Sequence, residues 1–340
     1  MQSIIDIQRK LLPDLLHVMR KRYAILHYIG FMQPVGRRSL AVSLGSTERI
    51  LRAEVDFLKD QNLISANNIG MSLTPEGKNL LESLESLMRE LTGIDVLEQE
   101  LKKLLEIRKV VIVPGNSDQS PLVKSELGKA SANCMKKLLA GKNIIAITGG
   151  STMAAIAEWL TPDFGNKELL FVPARGGIGE DVQNQANTIC AIMAGNANAK
   201  HRVFYVPDQV SMEIYESFIK EPLIHEVLGL IKSASMVLHG IGEAIPMAER
   251  RKTSAEDLEK IEKGKAVGEA FGYYFNEEGD IVHKVLTIGL QLDDLARIPN
   301  VIAVAGGESK AKAIRAYMKQ APPSTILITD EGAARTLLKG

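Results

Sequence analysis

The sequence has few cysteines and no long apolar run, and each absence excludes a class of protein. The 340 residues include two cysteines, Cys134 and Cys190, both in apolar helical surroundings. This pattern predicts buried thiols of a cytoplasmic protein rather than a disulfide framework. No run of about 18 uncharged apolar residues occurs, so no transmembrane helix is expected. The first residues carry an early acidic side chain and no apolar region with a cleavage site, so no signal peptide is expected.

Motifs of metal, cofactor and nucleophile chemistry are also missing. Neither HxxxH nor CxxC spacing occurs, and there is no GxSxG segment. We therefore predict no catalytic residue, no metal ligand and no cofactor. The nearest candidate base is His239, which has no evident partner in the sequence and is expected to be a buried packing histidine.

The formal net charge is zero, but the charges are unevenly distributed along the chain. Residues 1–80 contain 11 Lys and Arg against 7 Asp and Glu, and the remainder contains 30 against 34. A chain of this length is expected to form at least two domains. A small basic domain on a larger acidic one hints at nucleic acid binding near the N-terminus.

The order of elements in residues 1–78 predicts a winged helix-turn-helix DNA-binding domain. An amphipathic helix is followed by a short helix, a tight turn at Gly45, a second helix and a hairpin whose tip contains Asn67 and Asn68. In such domains the second helix directs its N-terminal end into the major groove of DNA. The alternative is a small helical bundle with solvated arginines.

Eight residues of these elements are predicted to contact DNA. Cations at the start of the supporting helix are suited to phosphate groups, and those of the second helix lie opposite its apolar stripe, which includes Ile50 and Val55. The set comprises Arg37, Arg38, Ser46, Thr47, Arg49, Arg52, Asn67 and Asn68.

Residues 79–107 are predicted to form a leucine-rich helical linker, part of a single helix over residues 76–106. Its apolar side chains alternate at spacings of four and three residues from Leu80 to Ile94. This spacing is typical of helices that pair with another helix, and we favour a dimerising or docking role. The alternative is an intramolecular core.

Residues 108–340 have the pattern of an α/β domain with a largely parallel sheet covered on both faces. Short β-branched runs alternate with helix-forming segments. These runs lie at 109–115, 143–148, 169–174, 202–207, 236–242, 284–289, 301–307 and 325–330. Several end in glycine, as strands do where ligands bind at the carboxyl edge of such a sheet.

Four of these strand ends, with one acidic residue between them, are predicted to bind an anionic ligand. Gly149 and Gly150 let the backbone approach a ligand, and hydroxyls follow at Ser151 and Thr152. The segment lacks the spacing of an ATP-binding or NAD-binding motif. The alternative to a ligand-binding loop is a tight strand-to-helix turn capped by Ser or Thr. Glu269 is expected to accept hydrogen bonds from sugar hydroxyls.

Cations follow the other three strand ends. Arg175 is suited to a phosphate or carboxylate, with Gln185 facing the same cleft; the alternative is a structural ion pair with Glu180 or Asp181. Arg250 and Arg251 are expected on a mobile loop that could close over an anionic group; the alternative is a solvated pair of charges. Lys310 is expected in the first turn of a helix. Two cationic sites and a hydroxyl acceptor suggest a ligand with a phosphate at each end.

Several motifs together resemble the SorC family of sugar-responsive transcription regulators over nearly the whole chain. They include "TGGST", "PARGG", "HGIGEA", "VGEAFGYYF" and "VAGGESKAKAIRAYM". The resemblance implies a homo-oligomeric repressor of glycolytic genes, binding operator DNA and induced by fructose 1,6-bisphosphate. It also implies an effector domain similar to sugar-phosphate isomerases and deaminases, with phosphate contacts at 149–152, Arg175 and Lys310 and an acidic contact at Glu269.

One departure from the related enzymes argues against catalysis. Where the deaminases carry a "GIGxDGH" segment with a catalytic acid and histidine, this chain has "GIGEAI" at 240–245. The acid and base needed for proton transfer at a sugar carbon are missing there. Two alternatives to a repressor remain: an active sugar-phosphate isomerase or deaminase whose N-terminal module is an oligomerisation arm, and an oligomeric scaffold, which leaves the strand ends unexplained.

Overall fold

A computed structural model describes residues 11–177 and 181–340. The chain divides into two compact units, one ending at Asp95 and the other beginning at Val96. The N-terminal unit contains α1 (Pro13–Met32), α2 (Arg37–Ser43), α3 (Glu48–Asp60), β1 (Ile64–Ala66), β2 (Met71–Leu73) and α4 (Pro75–Thr92). β1 and β2 pair antiparallel, so the predicted winged helix-turn-helix order is confirmed.

Helix α3 shows how the sequence sets the orientation of the second helix of the motif. The Thr47 hydroxyl accepts a hydrogen bond from the Ile50 amide at 3.4 Å and caps the helix. The buried face carries Leu51, Val55 and Leu58. The predicted apolar stripe was wrong in one member, because Ile50 is 49% exposed. It lies about 100° around the helix from Leu51, outside the i, i+4, i+7 face.

The predicted single helix over residues 76–106 was also wrong. Helix α4 ends at Thr92, and α5 (Ile94–Leu105) begins after Gly93, whose φ of 73° is left-handed. A left-handed glycine ends a helix because it has no Cβ to clash with the backbone.

Three leucines of α4 belong to a core within the N-terminal unit, whereas Leu80 is exposed. Leu84 and Leu87 pack with Leu91 in a cluster that includes Leu16 and Tyr23 of α1. These leucines therefore match the intramolecular alternative to a docking seam. The proposed linker range is divided between the two units at Asp95 and Val96.

The C-terminal unit is an α/β fold. Its strands are β3 (Lys109–Val113), β4 (Lys142–Ile147), β5 (Glu168–Pro173), β6 (Lys200–His201), β7 (Met236–Gly240), β8 (Gly242–Glu243), β9 (Gly268–Ala270), β10 (Tyr273–Phe275), β11 (Ile281–Lys284), β12 (Asn300–Val304) and β13 (Thr325–Asp330). Its helices after α5 are α6 (Pro121–Leu138), α7 (Ser151–Ala157), α8 (Ala186–Ala197), α9 (Met212–Phe218), α10 (Pro222–Lys232), α11 (Ala244–Arg250), α12 (Ala255–Lys263), α13 (Leu292–Leu295), α14 (Ala311–Met318) and α15 (Glu331–Lys339).

Seven of these strands form the predicted parallel sheet, in the order β3-β13-β12-β7-β4-β5-β6. A second sheet, which sequence reasoning missed, is antiparallel in the order β11-β10-β9-β8. From β4 the chain continues outward to β5 and β6, whereas from β7 it continues the opposite way to β12 and β13. The change of direction leaves a crevice at the carboxyl ends of β4 and β7, where such sheets bind ligands.

Two predicted strands were wrong, at 202–207 and at 284–289. The ladder with β5 ends at His201, and the following segment instead bonds the loop after β5, with Gly177 donating to the Val206 carbonyl at 3.1 Å. Residues 285–289 bond that loop from the other side, with Gly176 donating to the Ile288 carbonyl at 3.1 Å. Phe204 and Val206 of the first run and Val285 and Ile288 of the second are buried. The two runs therefore contain the apolar residues of a buried strand without forming one.

A large apolar cluster lies between the parallel sheet and helices α6, α7 and α8. It includes Ile145, Phe171 and Leu238 from the sheet and Met153 and Ile189 from the helices. Within the described residues, none of the helices combines the length and apolar character needed to cross a membrane.

Candidate ligand-binding cavity

A cavity of about 360 Å³ opens at the carboxyl ends of the parallel strands. All ten residues predicted to bind an effector line it: Gly149, Gly150, Ser151, Thr152, Arg175, Gln185, Arg250, Arg251, Glu269 and Lys310. The chain positions of these residues span more than 160 residues, and the sheet topology brings them to one place.

The loop after β4 forms one wall of the cavity. Gly150 has a φ of 115°, which side-chain-bearing residues rarely adopt, and it donates to the Asn184 carbonyl at 2.8 Å. A Cβ on Gly149 would lie 2.7 Å from the same carbonyl oxygen. The two glycines therefore allow close contact with the segment that carries Gln185, and they bring Ser151 and Thr152 to the cavity wall.

Four charged side chains in the cavity neutralise one another, and we call Arg175, Asp208, Arg251 and Glu269 the charged quartet. Asp208 accepts hydrogen bonds from Nε and Nη2 of Arg175 through Oδ1 and from Nε of Arg251 through Oδ2. Oε1 of Glu269 accepts from Nη2 of Arg251 at 2.9 Å and lies 3.7 Å from Nη1 of Arg175. All four side chains are at most 7% exposed.

The electrostatics of the quartet keep Asp208 and Arg251 charged. Burial raises the pKa of Asp208, but the charges of Arg175 and Arg251 outweigh it, so this pKa lies below its ordinary value. Burial by itself lowers the pKa of Arg251, whereas Glu269 and Asp208 raise it, with a net upward shift. The predicted cations Arg175 and Arg251 are thus already paired with carboxylates.

The alternative for Arg175, a structural ion pair, was right in kind, but its partner among the described residues is Asp208 and not Asp181. Asp181 instead accepts a hydrogen bond from the Asn184 side chain, and Glu180 lies outside the described residues. Sequence reasoning missed Asp208. The rule that selected Arg175, a charged residue directly after an apolar run, also applies to Asp208 after 202–207.

The mobile loop predicted for Arg250 and Arg251 is not present. Arg250 is the last residue of α11, and Arg251 caps that helix with an amide bonded to the carbonyls of Glu249 and Met247. The helix begins directly after β8, which is held in the antiparallel sheet by β9. Both arginines are therefore placed by regular structure.

Arg250 and Lys310 differ from the quartet because neither has an ion pair among the described residues. Burial lowers the pKa of Lys310; Glu243 and Asp118 act in the opposite direction, and Arg250 lowers it further. Lys124 of α6 is a third cation in this group, since burial, Lys310 and Arg250 all lower its pKa. Three neighbouring cations repel one another and favour a bound anion.

Two carboxylates that sequence reasoning missed hold the turn that carries Lys310. Asp330 accepts from the Gly307 amide at 2.7 Å and caps α15 through the Ala333 amide at 2.8 Å. Asp118 accepts from the Ser309 amide at 2.9 Å. The backbone before Lys310 is therefore tied to the end of β13 and to the loop that follows β3.

His239 is a buried packing residue, as predicted, and it is not among the residues that line the cavity. Its Nδ1 lies 3.1 Å from the Gly240 carbonyl and its Nε2 lies 3.0 Å from the Tyr317 hydroxyl. Because a carbonyl only accepts, Nδ1 carries the proton and Nε2 accepts from Tyr317. Burial lowers the pKa of His239 to about 4.

Most of the residues predicted to bind DNA lie on the surface of the N-terminal unit. Seven of the eight are exposed and Ser46 is half-buried. In the described residues, Arg37, Arg38, Arg49 and Arg52 form no ion pair. Asn67 has a structural role, because its Oδ1 accepts from the Ile69 amide at 2.9 Å and closes the hairpin tip.

Comparisons with known proteins support this two-part architecture. A family model for a sugar-binding domain matches residues 89–339, and one for the CggR N-terminal DNA-binding domain matches residues 18–88. The chain is 61% identical to the central glycolytic genes regulator of Priestia megaterium over 340 residues, covering 100% of this chain and 99% of that one. The crystal structure of a SorC-family transcriptional regulator from Enterococcus faecalis has 48% sequence identity and a TM-score of 0.68, covering 71% of this chain and 99% of that one.

The chain belongs to the SorC family of transcription regulators. The central glycolytic genes regulator of Bacillus subtilis is 58% identical over 339 residues, covering 100% of this chain and 99% of that one. The chain joins an N-terminal DNA-binding domain to a C-terminal sugar-binding domain. The cavity described above lies in the sugar-binding domain.

Proposed function

We propose that this SorC-family protein is a cytoplasmic repressor of glycolytic genes, released from its operator by a phosphorylated sugar. Fructose 1,6-bisphosphate is the effector we favour. The observation that carries the proposal is the cavity itself, in which Arg250 and Lys310 converge with the hydroxyl-bearing loop 149–152. Neither cation has an ion pair within residues 11–177 and 181–340. The names of the relatives at 61% and 58% identity support the choice of target genes.

The ligand chemistry follows from the charges of the lining residues. Phosphate groups suit Arg250 and Lys310, because hydrogen bonds between ionised groups are about twice as strong as neutral ones. The charged quartet has no net charge and suits the sugar hydroxyls between the phosphates. We assign Gln185 and Glu269 to that part of the ligand.

The charge of Asp208 and the burial of His239 support a sensing role rather than catalysis. Asp208 is held charged between two arginines, which makes it a weak proton acceptor. His239 is buried against Tyr317. Among the described residues lining the cavity there is no histidine or cysteine to serve as base or nucleophile.

We infer that operator binding uses the arginines of α2 and α3 in a homo-oligomer, dimer or tetramer. Arg49 and Arg52 lie in α3, which enters the major groove in domains of this class, and Arg37 and Arg38 suit the phosphate backbone. Effector binding would favour a conformer with weaker operator affinity.

The test is a titration of operator DNA with the full chain, with and without fructose 1,6-bisphosphate. We expect the effector to weaken operator binding and to raise the thermal midpoint of the sugar-binding domain, since it binds only the folded state. Fructose, which lacks phosphate, serves as the control ligand. Unchanged operator affinity at millimolar effector would overturn the proposed induction.

A further inference from the structure

Asp208 occupies the position that an anionic group of a ligand would otherwise take between two guanidinium groups. Both of its carboxylate oxygens are engaged, one by Arg175 and the other by Arg251 at 2.9 Å. Its side chain is 4% exposed. A phosphate or carboxylate arriving here would leave the Asp208 charge buried without a partner, which is strongly unfavourable.

In the quartet, one guanidinium nitrogen and one carboxylate oxygen have no hydrogen bond among the described residues. Nη1 of Arg175 lies 3.7 Å from Oε1 of Glu269, beyond hydrogen-bond distance, and it has no other partner among the described residues. Oε2 of Glu269 also has no hydrogen bond there, and it lies beside Gly242, which lines the cavity. A hydroxyl group both donates and accepts, so it matches this pair.

We propose that Asp208 is a specificity-determining residue: by neutralising Arg175 and Arg251, it makes the charged quartet accept a hydroxyl of the ligand and reject an anionic group. This inference rests on the proposed function, because it assigns the ligand's phosphates to the cations and loop outside the quartet. Replacing the Asp208 carboxylate with a neutral amide leaves the quartet with one net positive charge.

The first test compares two ligands on the unmodified full-length chain by isothermal titration calorimetry. Glucitol 6-phosphate and 6-phosphogluconate differ only at carbon 1, which is a hydroxymethyl group in the former and a carboxylate in the latter. We expect the alcohol to bind at least about tenfold more tightly, equivalent to about 1.4 kcal/mol. Equal binding, tighter binding of the acid, or binding of neither ligand would overturn the inference.

The second test uses Asp208→Asn, with Asp181→Asn as the matched control. Both remove one negative charge from the cavity lining, but Asp181 is not part of the quartet. We expect Asp208→Asn to shift the ratio of the two affinities toward the acid by at least about tenfold. Asp181→Asn should retain the ratio of the unmodified chain; an equal shift in both variants would mean that overall charge, not Asp208, sets the preference.

The two proposals fail in distinguishable ways. If the unmodified chain binds fructose 1,6-bisphosphate but shows no preference for the alcohol over the acid, only the role of Asp208 is wrong. If fructose 1,6-bisphosphate does not bind, the proposed function fails, and the role of Asp208 fails with it. Should Asp208→Asn not fold, the ligand comparison on the unmodified chain still decides the question.

Discussion

Protonation of His239 should destabilise the sugar-binding domain in mild acid. The folded-state pKa is about 4, against an ordinary value of 6.5 in the unfolded chain. The unfolded state therefore binds more protons between these values, and stability falls as the pH falls from 6.5 toward 4. At pH 5 the difference between the two pKa values lowers the free energy of unfolding by about 2 kcal/mol relative to neutral pH.

The variant that isolates this effect is His239→Gln, which keeps an amide for Gly240 and Tyr317 but does not titrate in this range. Urea unfolding should be measured at pH 7 and pH 5 for the variant and the unmodified chain. The one tryptophan of the sequence, Trp159, lies in the C-terminal unit, where its Nε1 donates to Ser125 at 3.0 Å. Its fluorescence therefore reports on that unit.

For the unmodified chain and for His239→Gln, the measured quantity is the free energy of unfolding lost between pH 7 and pH 5. The difference between these two losses decides the question. We expect the unmodified chain to lose about 2 kcal/mol more than His239→Gln. His225→Gln is the control, because His225 is exposed on α10, and it should behave like the unmodified chain. Equal losses in His239→Gln and the unmodified chain would refute the proposed buried, neutral histidine.

Three further substitutions test the division of labour between the two domains. Lys310→Met should weaken effector binding about 10- to 100-fold, since a hydrogen bond to a charged group contributes about 1.5–3 kcal/mol. It should not lower the thermal midpoint of the free protein; a lowered midpoint would indicate a structural role. Thr152→Ala should reduce the effector response while operator affinity is retained. Arg49→Ala should do the reverse, and if Arg49 contacts a phosphate, the salt dependence of operator binding should decrease by about one unit of slope. Equal impairment of both activities by Thr152→Ala and Arg49→Ala would contradict the division.

Several features of the site were predictable because their signals are local. The glycines and hydroxyls of 149–152 follow a β-branched run directly, and the turn they predict depends only on neighbouring residues. Lys310 follows Gly306 and Gly307 in the same way. Gly93 is also a local signal, for a break in the helix. The single helix was nevertheless predicted, because the 4-3 spacing of the leucines continues up to this point.

The two-domain organisation, the winged helix order, the parallel sheet and the residues at its carboxyl edge were predictable from the chain, because these features depend on periodicity, β-branched runs and glycine positions. Which cations remain available to a ligand depends instead on contacts between distant parts of the chain. Arg175 and Asp208 are 33 residues apart, and Arg251 lies 43 residues beyond Asp208. Their pairing depends on the sheet order and on the segment after β6 leaving the sheet, and neither is encoded in any short stretch of the chain.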